Sequence, residues 1–267
     1  HGNNPKDGVI KKYIKELEIY NPNFGYKILT RNQNKKLFHL TIGGMGMTGI
    51  ITKVKLKVLN LKSSFIKVDK KIEFTKLIDV YNYLNKSKYV YNQNNIFINY
   101  DKKRFIMARV SSGNFSNKKF EEKKIKKKKI FSFRLNIFKV SLFKKIIEKF
   151  VLIKETSFGK KILHINDAFH PSNNRLLYFC LLSKKFIEHQ AIIPHSNTKK
   201  FLKEFEELCK TKSPLITLCH LKIFNGKAKY LEFDGKGLGL SIHTVSYTHL
   251  RAHETDSYLV CRLLLEK

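Results

Sequence analysis

The sequence predicts an α+β fold: a small lobe over residues 1–61, then a larger unit over 62–244 that lays helices on an antiparallel sheet. Three observations carry this. Between Ile51 and Val58, the apolar residues Val54, Leu56 and Val58 alternate with lysines, the period of a half-buried strand. Between Ile72 and Leu84, Phe74, Leu77, Ile78, Val80, Tyr81 and Leu84 recur at helical spacing. The runs Asn95–Tyr100 and Arg104–Val110 flank the polar turn Asp101-Lys102-Lys103, as paired strands do.

In chain order, the small lobe reads as an opening loop, a short helix over Val9–Leu17, a strand over Lys27–Thr30, a helix over Asn34–Leu40, a glycine loop, and the strand Ile51–Val58. Lys62–Lys70 reads as a crossover. The larger unit then continues with the helix and strand pair above, a helix over Leu142–Lys154, and strands over Tyr178–Leu182 and Phe186–Ile193. A helix over Lys199–Cys209 and a strand over Leu215–Phe224 follow. Lys229–Phe233 and Gly239–His243 close the readable part.

Hydrophobic content of 42% and aromatic content of 12% suit a folded core rather than disorder. No apolar run is long enough to span a bilayer as a helix. Cys180, Cys209 and Cys219 lack CxxC spacing, which argues against a disulfide framework or a zinc site and favours a reducing setting. The formal net charge of +32 points to an anionic partner, nucleic acid or membrane. Its excess is nearly all lysine, in a chain equally rich in Asn, Ile, Phe and Tyr, so A/T-rich codons explain much of it. The cluster Lys118–Lys129 reads as a solvated flank or as a membrane-surface patch.

From Val245 to Lys267 the composition changes abruptly, with no Ile, Asn, Phe or Gly. Back-translation of Val245–Thr255 and of Leu259–Lys267 yields the two ends of a transposase-type sequencing adapter, with room for a sample barcode at Asp256–Tyr258. The expectation is that 245–267 is a non-native tail, so His249, His253 and Cys261 carry no chemistry. No metal-ligand set is read elsewhere.

Two segments are rich in glycine and backbone donors: His1-Gly2-Asn3-Asn4-Pro5-Lys6-Asp7-Gly8, and Gly43-Gly44-Met45-Gly46-Met47-Thr48-Gly49-Ile50-Ile51. Such segments let main-chain N–H groups approach a bulky anionic ligand. The spacing Gly44-x-Gly46-x-x-Gly49 is not a Rossmann fingerprint, because a helix precedes it and a strand follows, the reverse of the required order. The two segments read as walls of a flavin site; a plain glycine turn without a ligand stays open as the alternative.

The run Leu37–Ile51 resembles a segment of the decaprenylphosphoryl-β-D-ribose 2′-oxidase family, within the vanillyl-alcohol-oxidase class of PCMH-type FAD enzymes. Looser matches follow in the same order at Phe169-His170-Pro171, Gln190–Pro194 and His220–Phe224. The resemblance implies that 1–61 ends an FAD-binding domain, with its first lobe upstream of His1, and that 62–244 is an incomplete substrate (cap) domain. It implies FAD as cofactor and hydride transfer from a secondary hydroxyl of a sugar or polyol. By it, His1, Gly2, Asn3, Asn4, Gly46, Thr48, Gly49, Ile51 and His220 would bind FAD. Lys222 and Gln190 would be catalytic and touch the substrate sugar, with Phe224 packing beside it; a cation near the flavin pyrimidine edge stabilises the reduced anion.

Several positions depart from the family pattern: Asn3 stands for a lysine, Glu188 for a Gln, Ser241 for an Asp, and Gly239 near a Cys that some members carry. The implied partners are a polyprenyl-phosphate sugar, a short-chain reductase and a peripheral membrane contact, with no nucleic acid. The implied location is cytoplasmic or peripheral at the inner membrane. Another FAD-linked sugar-lactone or alcohol oxidase of the same class is one alternative, and a basic nucleic-acid-binding protein is the alternative from another class; scarce arginine and the lack of a helix-turn-helix, finger or RNP motif count against the latter.

Overall fold

The computed structural model describes residues 4, 7–61, 63–119, 121, 162–169, 186–214 and 216–245. It is an α+β arrangement of two antiparallel sheets. The expected helix over Leu142–Lys154, the strand over Tyr178–Leu182, most of the lysine cluster, His170-Pro171 and all but the first residue of the tail lie outside the described residues.

The first sheet has the order β2-β1-β3, built from β1 (Ile14–Asn21), β2 (Gly25–Thr30) and β3 (Ile50–Leu56). The helix expected over Val9–Leu17 is instead one 3₁₀ turn, Ile10–Lys12, leading into β1. The apolar spacing of Val9, Ile10, Tyr13, Ile14 and Leu17 imitates a helix. Burial is decided by Leu17 and Ile19, which point inward between Glu16, Glu18 and Tyr20. Asn21 Oδ1 accepts the Asn23 N–H and turns the chain into β2, where Gly25 takes a positive φ of 70°. Helix α1 (Lys35–Thr41) drops Phe38 onto Ile14, Leu17, Ile19 and Leu29 to close this small core. Strand β3 is exposed along its whole length.

The second sheet runs β7-β4-β6-β5-β9-β10-β8. Its strands are β4 (Phe65–Phe74), β5 (Tyr91–Ile98), β6 (Ile106–Phe115), β7 (Ile162–His164), β8 (Phe186–Pro194), β9 (Ile216–Asn225) and β10 (Lys236–Val245). The expected crossover at Lys62–Lys70 is therefore largely strand β4, and the expected helix from Ile72 begins only at Leu77. Lysines and Asp69 conceal the strand, and a bulge between Val68 and Lys70 breaks its alternation.

Helices α2 (Leu77–Lys86) and α4 (Thr198–Lys212) cover one face of this sheet; the short α3 (Ile165–Phe169) covers part of the other. In α2, Leu77, Val80, Tyr81 and Leu84 form the buried stripe, and Glu206 of α4 accepts the Leu77 N–H at its start. The main core joins that stripe to Ile96, Ala108, Val110, Ile193, Leu202, Cys219, Leu221, Leu238 and Leu240. Because strand side chains alternate, the residues between these point to the opposite face. Among the described residues, no helix is long and apolar enough to cross a membrane.

Candidate functional site

The opposite face of β8, β10 and β9 carries an unusual density of polar side chains. Leu238, Leu240 and Ile242 of β10 belong to the helix side, so Gly237, Gly239, Ser241 and His243 face away from it. Register then fixes their neighbours. Ser241 lies between Gln190 and His220, Gly239 between Ile192 and Lys222, His243 between Glu188 and Leu218, and Gly237 beside Phe224. Gln190, Lys222, His220 and Phe224, singled out on two sequence segments, thus share one sheet face.

Glu188 is the hub. Its Oε1 accepts from Gln190 Nε2 at 2.5 Å and from Ser241 Oγ at 2.8 Å, and lies 3.4 Å from His243 Nε2. Burial alone would raise the Glu188 pKa; those two hydrogen bonds, with the charges of His243 and Lys222, outweigh it and hold the carboxyl below its usual range. Burial pushes the Lys222 ammonium below its usual range, an effect that Glu188 partly offsets. Burial likewise lowers His243, against the pull of Glu188. His220 Nδ1 donates to the Asn94 carbonyl, and its ring meets His243 edge-on with centroids 6.3 Å apart.

Phe224 lies over Gly239, where any Cβ would collide with its ring, and it meets Phe233 edge-to-face at 5.6 Å. The glycine at 239 therefore makes room for Phe224. A carboxyl held below its usual range, an imidazole lowered by burial and a largely desolvated ammonium together can hold a hydroxylated ligand and take up a proton.

The residues expected to bind the cofactor are dispersed. His1, Gly2 and Asn3 lie outside the described residues. Asn4 donates from Nδ2 to Asp7 Oδ2 at 2.6 Å, and Tyr13 donates to the other carboxylate oxygen just before β1. Gly46, Thr48 and Gly49 sit at the far end of β1. There Thr48 Oγ1 is 2.9 Å from Thr41 Oγ1, and the Thr48 carbonyl accepts from Asn21. The strand between these two groups spans roughly 20 Å. His220 belongs to the other sheet.

Packing accounts for three of the loop glycines, Gly44 among them, where a Cβ would run into the Leu40 carbonyl. Gly43 has φ of 73° and its missing Cβ would stand 2.7 Å from Glu232 Cα, while Gly49 has φ of 129° and lies against the Tyr20 carbonyl. Gly46 differs: nothing lies within 4 Å of where its Cβ would be. It sits among the exposed Met45 and Met47, with Ile51 also exposed in β3. That edge leaves main chain open to approach, whereas Lys222 belongs to the other sheet and the Asn4 amide is occupied by Asp7.

Sequence reading passed over His243 and the role of Glu188 as hub. The signal was present, since His220 and Lys222 share strand parity, as do Ser241 and His243. It also missed a cleft between the sheets, where Lys11 Nζ meets Asp234 Oδ2 at 2.7 Å and Glu232 Oε1 at 3.1 Å. In comparisons with known proteins, the chain matches no family model and no curated protein.

Proposed function

We propose that the chain is part of an FAD-dependent oxidoreductase that oxidises a secondary hydroxyl of a sugar or polyol. The observation that supports this is the convergence of Gln190 and Lys222 with Glu188, Ser241 and His220 on one sheet face. In this reading the Gln190 amide and Ser241 hydroxyl orient substrate hydroxyls, and Phe224 packs against the ring. Glu188, its carboxyl held below the usual range, and His243, its imidazole lowered by burial, are the two groups placed to take the single hydroxyl proton, one or the other. Lys222 supplies positive charge where negative charge develops.

FAD, when bound, supplies the acceptor for the hydride. Gly46, Thr48, Gly49 and Ile51 would hold its nucleotide side; the resemblance adds the His1–Asn3 segment, Asn4 and His220, of which Asn4 lies at the other end of β1 and His220 on the other sheet. A polyprenyl-phosphate sugar, a reductase partner and a peripheral membrane contact extend the same proposal.

The test uses the gene product that carries this sequence together with the upstream lobe the reading requires. It should purify yellow, bleach under anaerobic conditions with a suitable sugar or polyol, and lose at least about a hundredfold in bleaching rate as Lys222→Met. A colourless product that binds DNA with steep salt dependence and takes up no FAD would overturn the proposal.

A further inference from the structure

The cleft between the two sheets encloses about 600 Å³, a volume suited to a small organic ligand. Lys11, Lys12, Arg31 and Lys35 line it from the first lobe, and Lys227 and Lys229 from the loop after β9. Two carboxylates, Glu232 and Asp234, also line it, so six cations less two anions leave an excess of four positive charges. Both carboxylates are already committed. Lys11 bridges them, and Glu232 additionally accepts the backbone N–H groups of Lys229 and Tyr230.

Three of the remaining positive groups, Lys229, Arg31 and Lys35, act together on His39. Arg31 is fixed by donating from Nη2 to the Lys11 carbonyl at 2.8 Å and by lying over the Phe38 ring, 5.8 Å from its centroid. Lys229 Nζ stands 3.4 Å from His39 Nε2. The positive field is strong enough to be felt by that imidazole: burial first, then Lys229 and Arg31, push its pKa below the usual range. Val9, Phe38 and Ile42 give the recess an apolar side, and Asn32 and Asn225 add amides. A recess with several donors, apolar wall and surplus positive charge matches a compact dianion carrying an organic body. A polymer would have to follow the dispersed lysines outside it.

We propose that this interlobe cleft binds a small phosphorylated metabolite, with the phosphate held by Arg31, Lys229 and His39. The cleft is separate from the polar face of β8, β10 and β9, so its failure would leave the oxidoreductase reading intact.

The test is calorimetric titration of the 267-residue chain with glucose 6-phosphate, inorganic phosphate and glucose. Glucose 6-phosphate should bind at least about tenfold more tightly than glucose, and Lys229→Gln and the pair Arg31→Gln/Lys229→Gln should each lose at least about tenfold. The exposed pair Lys53→Gln/Lys55→Gln, outside the cleft, should leave binding unchanged. Binding of inorganic phosphate as tight as that of the sugar phosphate would keep the site and assign it to the free ion; tighter sugar-phosphate binding assigns it to the ester. In either case the His39 imidazole, followed by NMR, should titrate at higher pH with ligand than without. Equal losses in the cleft and β3 variants would reveal diffuse attraction and overturn the proposal, as would an oligonucleotide that binds more tightly and loses equally in both. Retained circular dichroism in Lys229→Gln, a change at an exposed side chain, separates lost binding from lost fold.

Discussion

Lys11 is tied to Asp234 across the two sheets, Nζ to Oδ2 at 2.7 Å, with the Asp234 side chain only 4% exposed. Burial opposes the charge on this lysine, but Asp234 and Glu232 outweigh it and raise the pKa above the usual range. Lys11→Met would leave two nearly buried carboxylates without their cation and should cost roughly 3 kcal/mol in urea denaturation. Lys53→Met at the exposed pair with Glu18, by contrast, should cost at most about 0.5 kcal/mol. Equal effects would mean that the cleft contact contributes nothing special.

The same contact sets a pH dependence. Burial would raise the Glu232 pKa, yet the Lys229 and Tyr230 N–H groups and Lys11 bring it down to about 2, against an ordinary 4.5. A depressed carboxyl stabilises the fold above its unfolded pKa and loses that contribution as pH falls through the folded value. Stability should therefore decline between about pH 4.5 and 2 more steeply in the native chain than in Glu232→Gln. Parallel acid-denaturation curves would contradict this.

Gly43 and Gly46 share positive φ values of 73° and 80° but not their surroundings. Gly43→Ala meets the Glu232 backbone and should lower stability by 2 kcal/mol or more, roughly. Gly46→Ala meets nothing and should cost only about 1 kcal/mol, the left-handed strain itself. Thermal melts of the two variants provide the comparison.

On the polar sheet face, Lys222 helps to hold the His243 imidazole below its usual pKa. Lys222→Met should shift the His243 NMR titration upward, while the Glu188 carboxyl, losing a nearby cation, should titrate higher than before. A static His243 would place Lys222 away from the cluster.

Cys219 is fully buried, and burial, followed by the neighbouring Cys209, drives its thiol pKa far above the usual range. Iodoacetamide at pH 8 should label Cys219 only as fast as the fold opens, and labelling should accelerate sharply with urea. Rapid labelling in native buffer would show that the β5–β9 seam is open.

Strong periodicity made α2, α4, β6 and β9 legible, because Leu77, Val80, Tyr81 and Leu84 admit only a helical reading. It misled at Val9–Leu17, where five apolar residues fit helical spacing and only the burial of Leu17 and Ile19 decides for a strand. It was silent at β4, whose lysine-rich sequence and bulge imitate a linker. In the candidate site, Gln190 and Lys222 were readable one by one. Their adjacency depends on β10 lying between β8 and β9, a long-range register that no local pattern encodes. The cleft was hidden for the same reason: Lys11 and Asp234 meet only after both sheets form.

Strand β5 owes one of its neighbours to β9, a segment translated more than a hundred residues later. On the ribosome, β4, β5 and β6 can form a hairpin array early, but β5 must wait as a raw edge until residue 216 has emerged. The buried amide of Asn94, which exchanges hydrogen bonds with the Leu221 backbone, lacks that partner during that interval. A nascent chain stalled before β9 is thus the form of this protein most exposed to chaperones and to aggregation.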